Sequence, residues 1–182
     1  MAKSKSLSKV QERKINKIKI AIGTKIAAAG INGITINQAV EIFKDSIDQS
    51  IIAAGAKGKE GLICSQVPIK IFHEVIKQEL IRNGVLRDLI FPSLGNSSNE
   101  VRLHGYFKDK DQDVCVLPND AVRNPVRLTS GLSRGQMDPL GTLLTEQILV
   151  INIRSQMSSI AKNIDTMYER IFAEPLNLTS VR

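Results

Sequence analysis

The spacing of apolar residues changes once along this chain, and that change limits the fold more than any other feature. Before the polar segment SLGNSSNE (93–100), apolar residues recur every three or four positions, as on one face of a helix. After Val101, short apolar runs alternate with charged, glycine and proline residues, which is typical of strands and turns. The sequence therefore predicts an α+β fold forming one compact unit: a helical region at 1–92, then at 93–182 a small mixed sheet with a flanking C-terminal helix.

Three helices are predicted in the first region. They span residues 4–29, 35–54 and 68–84, with apolar stripes at Ile15, Ile18, Ile22 and Ile26, at Ala39, Val40, Phe43, Ile47 and Ile51, and at Ile69, Phe72, Ile76 and Leu80. Gly30 and the INGI turn (31–34) end the first helix, Thr35 caps the second, and Gly84 ends the third. The stretch GAKGKEG (55–61) predicts a flexible basic loop.

The second region predicts three strands and one helix. The strands are VRLHGYF (101–107), QDVCVL (112–117) and QILVINIR (147–154), and the helix carries Met157, Ile160, Ala161, Ile164, Met167 and Ile171 on its apolar face. The charged stretch KDKD (108–111) predicts a turn between the first two strands. Residues 119–142, rich in Gly, Pro, Ser and Asn, predict a long loop, and loops of this length are usually functional or mobile.

Composition restricts the partners and the compartment. With 182 residues, a formal charge of +7 and a pI near 9.5, the chain favours polyanionic partners, nucleic acid first. No run is long and apolar enough for a membrane helix, and the basic N-terminus lacks the apolar block of a secretory signal. Cys64 and Cys115 lie far apart in apolar contexts, which indicates reduced core thiols and a cytoplasmic protein.

Polar side chains interrupt two of the apolar strands. Alternate side chains of a strand share a face. In the strand at 112–117 and just before it, Asp111, Asp113 and Cys115 are therefore expected on one face. In the strand at 147–154, one face is expected to carry Val150, Asn152 and Arg154, and the opposite face Leu149, Ile151 and Ile153. Burying such polar groups costs free energy unless they are paired or bind a ligand. If the two strands are neighbours, Asp113 and the Asn152–Arg154 pair converge on one surface.

Such a surface suits phosphodiester hydrolysis. Carboxylates bind hard divalent cations, which generate hydroxide and neutralise charge on the phosphate, and a nearby cation adds to that stabilisation. Glu169, on the polar side of the following helix, is a candidate second carboxylate. Gln156 is a candidate for positioning the scissile phosphate.

Three segments of the chain carry a resemblance to a known family. KDQDVCV (110–116), LVINIRSQMSSIAKN (149–163) and YERIFAE (168–174) resemble the PD-(D/E)XK nuclease core of type II restriction endonucleases. The resemblance implies Mg²⁺-dependent cleavage of double-stranded DNA at a specific sequence. It implies that Asp113 and Glu169 bind the metal, that Asn152 stands where the strand acid usually sits, and that Arg154 replaces the lysine.

The resemblance also implies partners. Symmetric cutting of a duplex favours a homodimer, and a restriction enzyme acts alongside a cognate DNA methyltransferase. Candidate DNA contacts are Arg123, Arg127 and Arg134 of the long loop and Lys57 and Lys59 of the basic loop. Asn152 is a weaker metal ligand than a carboxylate, and Arg154 stays protonated, so it can orient phosphate but cannot act as a base. Either the nuclease core is minimal, or the chain is the N-terminal portion of a larger enzyme.

Other interpretations stay open. KDKDQD can be a solvated turn, Asn152 and Arg154 can lie on the wet face of an edge strand, and Glu169 can be an ordinary surface residue. A non-catalytic winged-helix protein is the alternative function, with its helices in ITINQAVEIFKDSI and VPIKIFHEVIKQELIRNGV and its wing at 101–117. A third alternative is a structural or interaction protein without DNA affinity.

Overall fold

A computed structural model describes residues 7–96, 98, 100–107, 109–154 and 176. Long helices precede short antiparallel strands, which confirms the predicted α+β class. The chain divides into two compact units: Met1–Val85 with Ser93–Ser97, and Leu86–Pro92 with Ser98–Arg182. Within the described residues, no helix is long and apolar enough to cross a membrane.

The first unit contains three helices. They are α1 (Lys9–Asn32), α2 (Ile36–Cys64) and α3 (Lys70–Arg82). Ser8 and Thr35 begin α1 and α2 with complete capping boxes, so the predicted cap at Thr35 is confirmed. Helix α1 passes through Gly30 and ends at Asn32, within the predicted INGI turn, where Gly33 follows it with a φ of +83°.

The predicted basic loop at 55–61 is wrong. Helix α2 continues through this stretch, with one kink where Ala54 and Gly55 leave helical geometry and Gly55 has a φ of +62°. Gly58 lies close to the turn before the kink, since a Cβ there would stand 2.1 Å from the carbonyl oxygen of Ser50. Glycine here permits a bend and a close approach while the helix continues.

The core of the first unit lies between the three helices. Its buried apolar residues are Ile15, Ile18, Ile22, Ile26, Ala29, Ile34, Ala39, Ile47, Leu62, Ile71 and Val75. The four-isoleucine stripe predicted for α1 is fully confirmed. The stripe predicted for α3 is not: Ile69, Phe72, Ile76 and Leu80 are half-buried.

The buried face of α3 carries polar side chains that bind backbone groups. Lys77 Nζ donates to Glu74 Oε1 at 2.6 Å and to the carbonyl oxygens of Ser93 and Asn96 at 3.2 and 2.9 Å. Glu74 Oε2 in turn accepts from the Gly95 amide at 2.8 Å. The backbone of segment 93–96 is therefore hydrogen-bonded to a buried acid and a buried base of α3 that also pair with each other.

A single amide side chain joins the two helices that precede α3. Gln78 accepts from the Ile34 amide at 2.9 Å and donates to the Ala29 carbonyl at 2.7 Å. It thereby gives the Ile34 amide, in the turn before α2, a partner in the core, and it adds a second hydrogen bond to the Ala29 carbonyl, which also accepts from the Gly33 amide at 2.9 Å.

The second unit consists of short strands. They are β1 (Ile90–Phe91), β2 (Val101–His104), β3 (Asp109–Gln112), β4 (Val114–Val116), β5 (Val126–Arg127), β6 (Met137–Asp138) and β7 (Leu149–Ile151), with the short helix α4 (Thr142–Gln147) before β7. The expected mixed sheet is, among the described residues, three antiparallel sheets in the orders β1-β4-β7, β2-β3 and β5-β6. The core of this unit contains Leu103, Cys115, Leu117, Leu140, Leu144 and Ile148.

Two predictions for this unit need correction. KDKD is not a turn, because Asp109–Gln112 forms β3, and the chain reverses before it, from Gly105. The long loop at 119–142 is not structureless, since it contains the β5–β6 ribbon. The wing proposed at 101–117 is not one hairpin either: β3 pairs with β2, whereas β4 pairs with β1 and β7.

Candidate functional site

The pairing of β4 with β7 positions the candidate site. Val114 lies opposite Ile151, and the antiparallel register continued by one residue places Asp113 opposite Asn152. Asp113 occupies the bend between β3 and β4, where one sheet gives way to the next. The predicted neighbourhood of the two polar strand ends is therefore present.

The carboxylate of Asp113 contacts the chain that follows β7. Its Oδ2 accepts from Arg154 Nη1 at 2.9 Å and from the Ile153 amide at 2.8 Å. Arg154 Nη1 also donates to the Ile153 carbonyl at 3.1 Å. The Asp113 side chain is 17% exposed and that of Arg154 35% exposed, so the pair lies at the surface with its carboxylate mostly covered.

Asp111 does not join this site. On the β2–β3 hairpin it lies opposite Arg102, which donates to both carboxylate oxygens at 2.7 Å. The hydrogen bonds from Arg102 lower the pKa of Asp111. The expected shared face of Asp111, Asp113 and Cys115 is wrong, because the bend at 113 ends one strand and begins another, and Cys115 is fully buried.

The strand β7 is less regular than its sequence predicts. It ends at Ile151, so Asn152 and Arg154 follow the strand rather than lie within it. Asn152 is half-buried, and Leu149, expected on an apolar inner face, is 53% exposed.

The predicted DNA contacts lie on both units. Arg123, Arg127 and Arg134 are exposed on the segment between β4 and α4, and Arg127 Nη1 donates to the Gly135 carbonyl at 2.7 Å. Lys57 and Lys59 lie on α2 and are half-buried, so they do not form the flexible basic loop expected of them.

The metal centre is not completed by the described residues. No group of three His, Cys, Asp or Glu side chains able to hold a metal ion occurs among them, and within the same residues Asp113 is the one carboxylate in contact with Arg154. Mg²⁺ prefers several oxygen ligands in octahedral geometry. Asp113 with Asn152 and Arg154 does not fit such an ion unaided, and Glu169 and Gln156 lie outside the described residues.

A second polar cluster lies on the β2–β3 hairpin and is not predicted by the sequence. Asp109 Oδ1 accepts from Ser133 Oγ at 2.6 Å and lies 3.0 Å from His104 Nδ1. Burial alone raises the pKa of Asp109, but the hydrogen bonds from Ser133 and His104, with the charges of His104 and Arg102, lower it overall. The hairpin register puts His104 opposite Asp109, a pairing visible in the sequence only once the turn is placed at Gly105.

Comparisons with protein-family models, with curated proteins and with solved structures found no match to this chain. A functional proposal for it therefore depends on the contacts of Asp113 and Arg154 and on the resemblance of the surrounding motifs.

Proposed function

We propose that the protein is a metal-dependent endonuclease that cleaves double-stranded DNA at a specific sequence, like the type II restriction endonucleases whose motifs it resembles. The observation that carries the proposal is the 2.9 Å contact between the Asp113 carboxylate and the Arg154 guanidinium, beside Asn152. These groups stand 41 residues apart in sequence. Their convergence is what a nuclease site on these two strands requires.

Arg154 has the chemistry to bind a phosphate. A guanidinium carries five N–H donors in a rigid fork that matches phosphate oxygens, and it stays charged at any relevant pH. Asp113 and the Ile153 carbonyl fix the Nη1 edge of the fork, while about a third of the side chain is exposed. We assign to Arg154 the orientation of the scissile phosphate and the stabilisation of charge that develops on it.

Mg²⁺ remains part of the proposal through the resemblance, with Asp113 and Glu169 as its ligands. When bound, such an ion supplies Lewis-acid stabilisation and an activated water. Since the described residues offer only one carboxylate at Arg154, no catalytic step is assigned through the metal. The proposed setting is cytoplasmic, as a homodimer alongside a cognate DNA methyltransferase.

The two aspartates of this region allow a matched test. Asp113→Ala and Asp111→Ala each remove a carboxylate paired with an arginine, but only the first removes the proposed site. We expect wild type and Asp111→Ala to nick or cut plasmid DNA with Mg²⁺ and not with EDTA. Asp113→Ala should lose cutting at least a hundredfold while still shifting a DNA duplex in a gel.

Equal cutting by Asp113→Ala and Asp111→Ala would show that Asp113 is not part of the catalytic site. An absence of cutting by the wild type with Mg²⁺, Mn²⁺ or Co²⁺ would reject the nuclease and favour the second candidate, a non-catalytic DNA-binding protein. The observation that favours this candidate is the arginine contact itself, because it balances the charge with which Asp113 would bind a metal.

A further inference from the structure

The net positive charge of the protein comes from its first 32 residues. They contain eight Lys and Arg against a single acid, Glu12, whereas the other 150 residues contain 17 of each sign. The whole formal charge of +7 therefore belongs to α1 and the few residues before it. A polyanion attracted by the net charge of this protein is attracted to this helix.

The cations of α1 form one surface. Lys9, Arg13 and Lys17 follow each other at intervals of four residues, so they share a face and succeed one another about every 6 Å. Lys14 flanks them, and all four side chains are exposed. We call these four residues the basic face of α1.

The basic face is not neutralised by the protein. In the part of the chain that the structure describes, no ion pair joins any of its four cations to a carboxylate, and Glu12 is the only acid in α1. Like charges four residues apart destabilise a helix by about 0.2–0.5 kcal/mol per pair. A bound polyanion would relieve that repulsion.

The apolar side of α1, opposite the basic face, is not available to bind a membrane. An amphipathic helix binds a bilayer by burying its apolar face in the lipid. The apolar stripe of α1 is already occupied, because Ile22 and Ile26 are 2% and 1% exposed within the core of the first unit. The basic face remains exposed for a partner, which suits a duplex that presents closely spaced phosphates.

We propose that the basic face of α1 binds the sugar-phosphate backbone of double-stranded DNA. The proposal shares its ligand with the proposed nuclease function, but it concerns binding and requires no cleavage. Contacts to phosphate carry no sequence information. The basic face would therefore hold the protein on any duplex, whereas specificity would reside elsewhere.

Two triple variants test this surface. The helix variant carries Arg13→Gln, Lys14→Gln and Lys17→Gln, and the control variant carries Lys44→Gln, Arg82→Gln and Arg87→Gln, three cations that lie outside α1 and outside the candidate DNA contacts. Each removes three exposed cations, and glutamine keeps the helix propensity of α1. Binding to a fluorescent duplex of arbitrary sequence is measured by anisotropy from 50 to 300 mM KCl with EDTA present, and circular dichroism confirms that both variants fold.

We expect the helix variant to lose at least tenfold in affinity at 100 mM KCl. The slope of log K against log salt should become shallower by about 2.7, since each phosphate contact contributes about 0.9. The control variant should change that slope by less than about 0.9, the contribution of a single phosphate contact. If the wild type binds DNA but cuts none, this surface stands while the nuclease proposal fails.

Three results would contradict the proposal that the basic face of α1 binds DNA. In the first, the helix variant binds duplex DNA as the wild type does while the control variant does not. In the second, the wild type binds no duplex at 50 mM KCl. In the third, the wild type prefers vesicles of phosphatidylserine and phosphatidylcholine to DNA, and the helix variant loses that vesicle binding.

Discussion

The ammonium group of Lys77 lies 2.6 Å from the carboxylate of Glu74, and neither side chain is exposed to solvent. Burial lowers the pKa of Lys77, although its hydrogen bond and ion pair with Glu74 oppose that shift. The pair is held by further bonds to the backbone of Ser93, Gly95 and Asn96. Each charge is tolerated in the core only because the other is present.

Lys77→Met should therefore destabilise the protein strongly. It leaves Glu74 as a buried carboxylate without its cation, and breaking a buried pair in this way costs about 3–5 kcal/mol. The double variant Glu74→Leu/Lys77→Met removes both charges and should recover part of that loss. Urea denaturation followed by circular dichroism measures the free energies of unfolding.

A matched control exists on the same helix. Glu79 and Arg82 form an ion pair with the same three-residue spacing, but their side chains are 50% and 54% exposed. Arg82→Met should change stability by less than about 1 kcal/mol. Equal effects of Lys77→Met and Arg82→Met would show that burial of the first pair has no energetic consequence.

Two glycines of α1 should respond in opposite directions to alanine. Among the described residues, only the neighbouring turns of the helix itself come near a Cβ added at Gly23, so Gly23→Ala should stabilise the helix by about 0.8–1 kcal/mol. At Gly30 a Cβ would stand 2.2 Å from the Gly95 nitrogen and 2.3 Å from its Cα. Because backbone must move, Gly30→Ala should cost roughly 1–3 kcal/mol.

Thermal unfolding of the two glycine variants distinguishes these cases. The melting temperature should rise for Gly23→Ala and fall for Gly30→Ala. A rise for both would mean that the segment 93–96 does not pack on α1 as closely as the Gly30–Gly95 approach requires.

The sequence predicts the structure correctly where one local signal determines it. Thr35 begins α2 because its hydroxyl caps the helix, and the isoleucines of α1 are buried because their spacing matches a helical face. The prediction fails for α3, where the inward residues include Glu74, Lys77 and Gln78. Hydropathy places such residues outside, and their backbone partners are distant in sequence.

The charged residues of the β2–β3 hairpin also led to a wrong prediction. KDKD predicts a turn because it is polar, yet Asp111 is matched by Arg102 and Asp109 by His104 on the neighbouring strand. Such pairs stabilise a strand that has little apolar content. The approach of Asp113 to Arg154 was predictable from the pairing of the two apolar runs that they flank, whereas the bend at Asp113 and the end of β7 before Asn152 had no sequence signal.

The two thiols should differ in reactivity. Cys64 is exposed, whereas burial and the charge of Asp113 raise the pKa of Cys115 to about 12. The thiolate is the reactive form, so at pH 8 only about one Cys115 in 10⁴ is ionised. We expect one rapid equivalent with Ellman's reagent in the native protein and a second only in denaturant.

Single cysteine variants assign these equivalents. Cys64→Ser should abolish the rapid reaction, and Cys115→Ser should preserve it. A rapid reaction in Cys64→Ser would contradict the burial of Cys115 in the core of the second unit.

Asp109 should contribute to stability in a defined pH window. Its pKa in the folded state lies below the ordinary value near 3.8, so folding favours the ionised form. The stabilisation is therefore fully present above that ordinary pKa and is lost as the pH falls through the lower, folded-state pKa.

The variant Asp109→Asn tests this pH dependence, because it has no carboxylate at position 109 to be protonated as the pH falls. Between pH 5 and 2, its free energy of unfolding should decline less steeply than that of the wild type. Ser133→Ala removes one hydrogen bond to the same carboxylate oxygen, so its decline should be intermediate. Chemical denaturation at half-unit pH steps measures the three slopes, and parallel curves for wild type and Asp109→Asn would rule out a depressed pKa at this position.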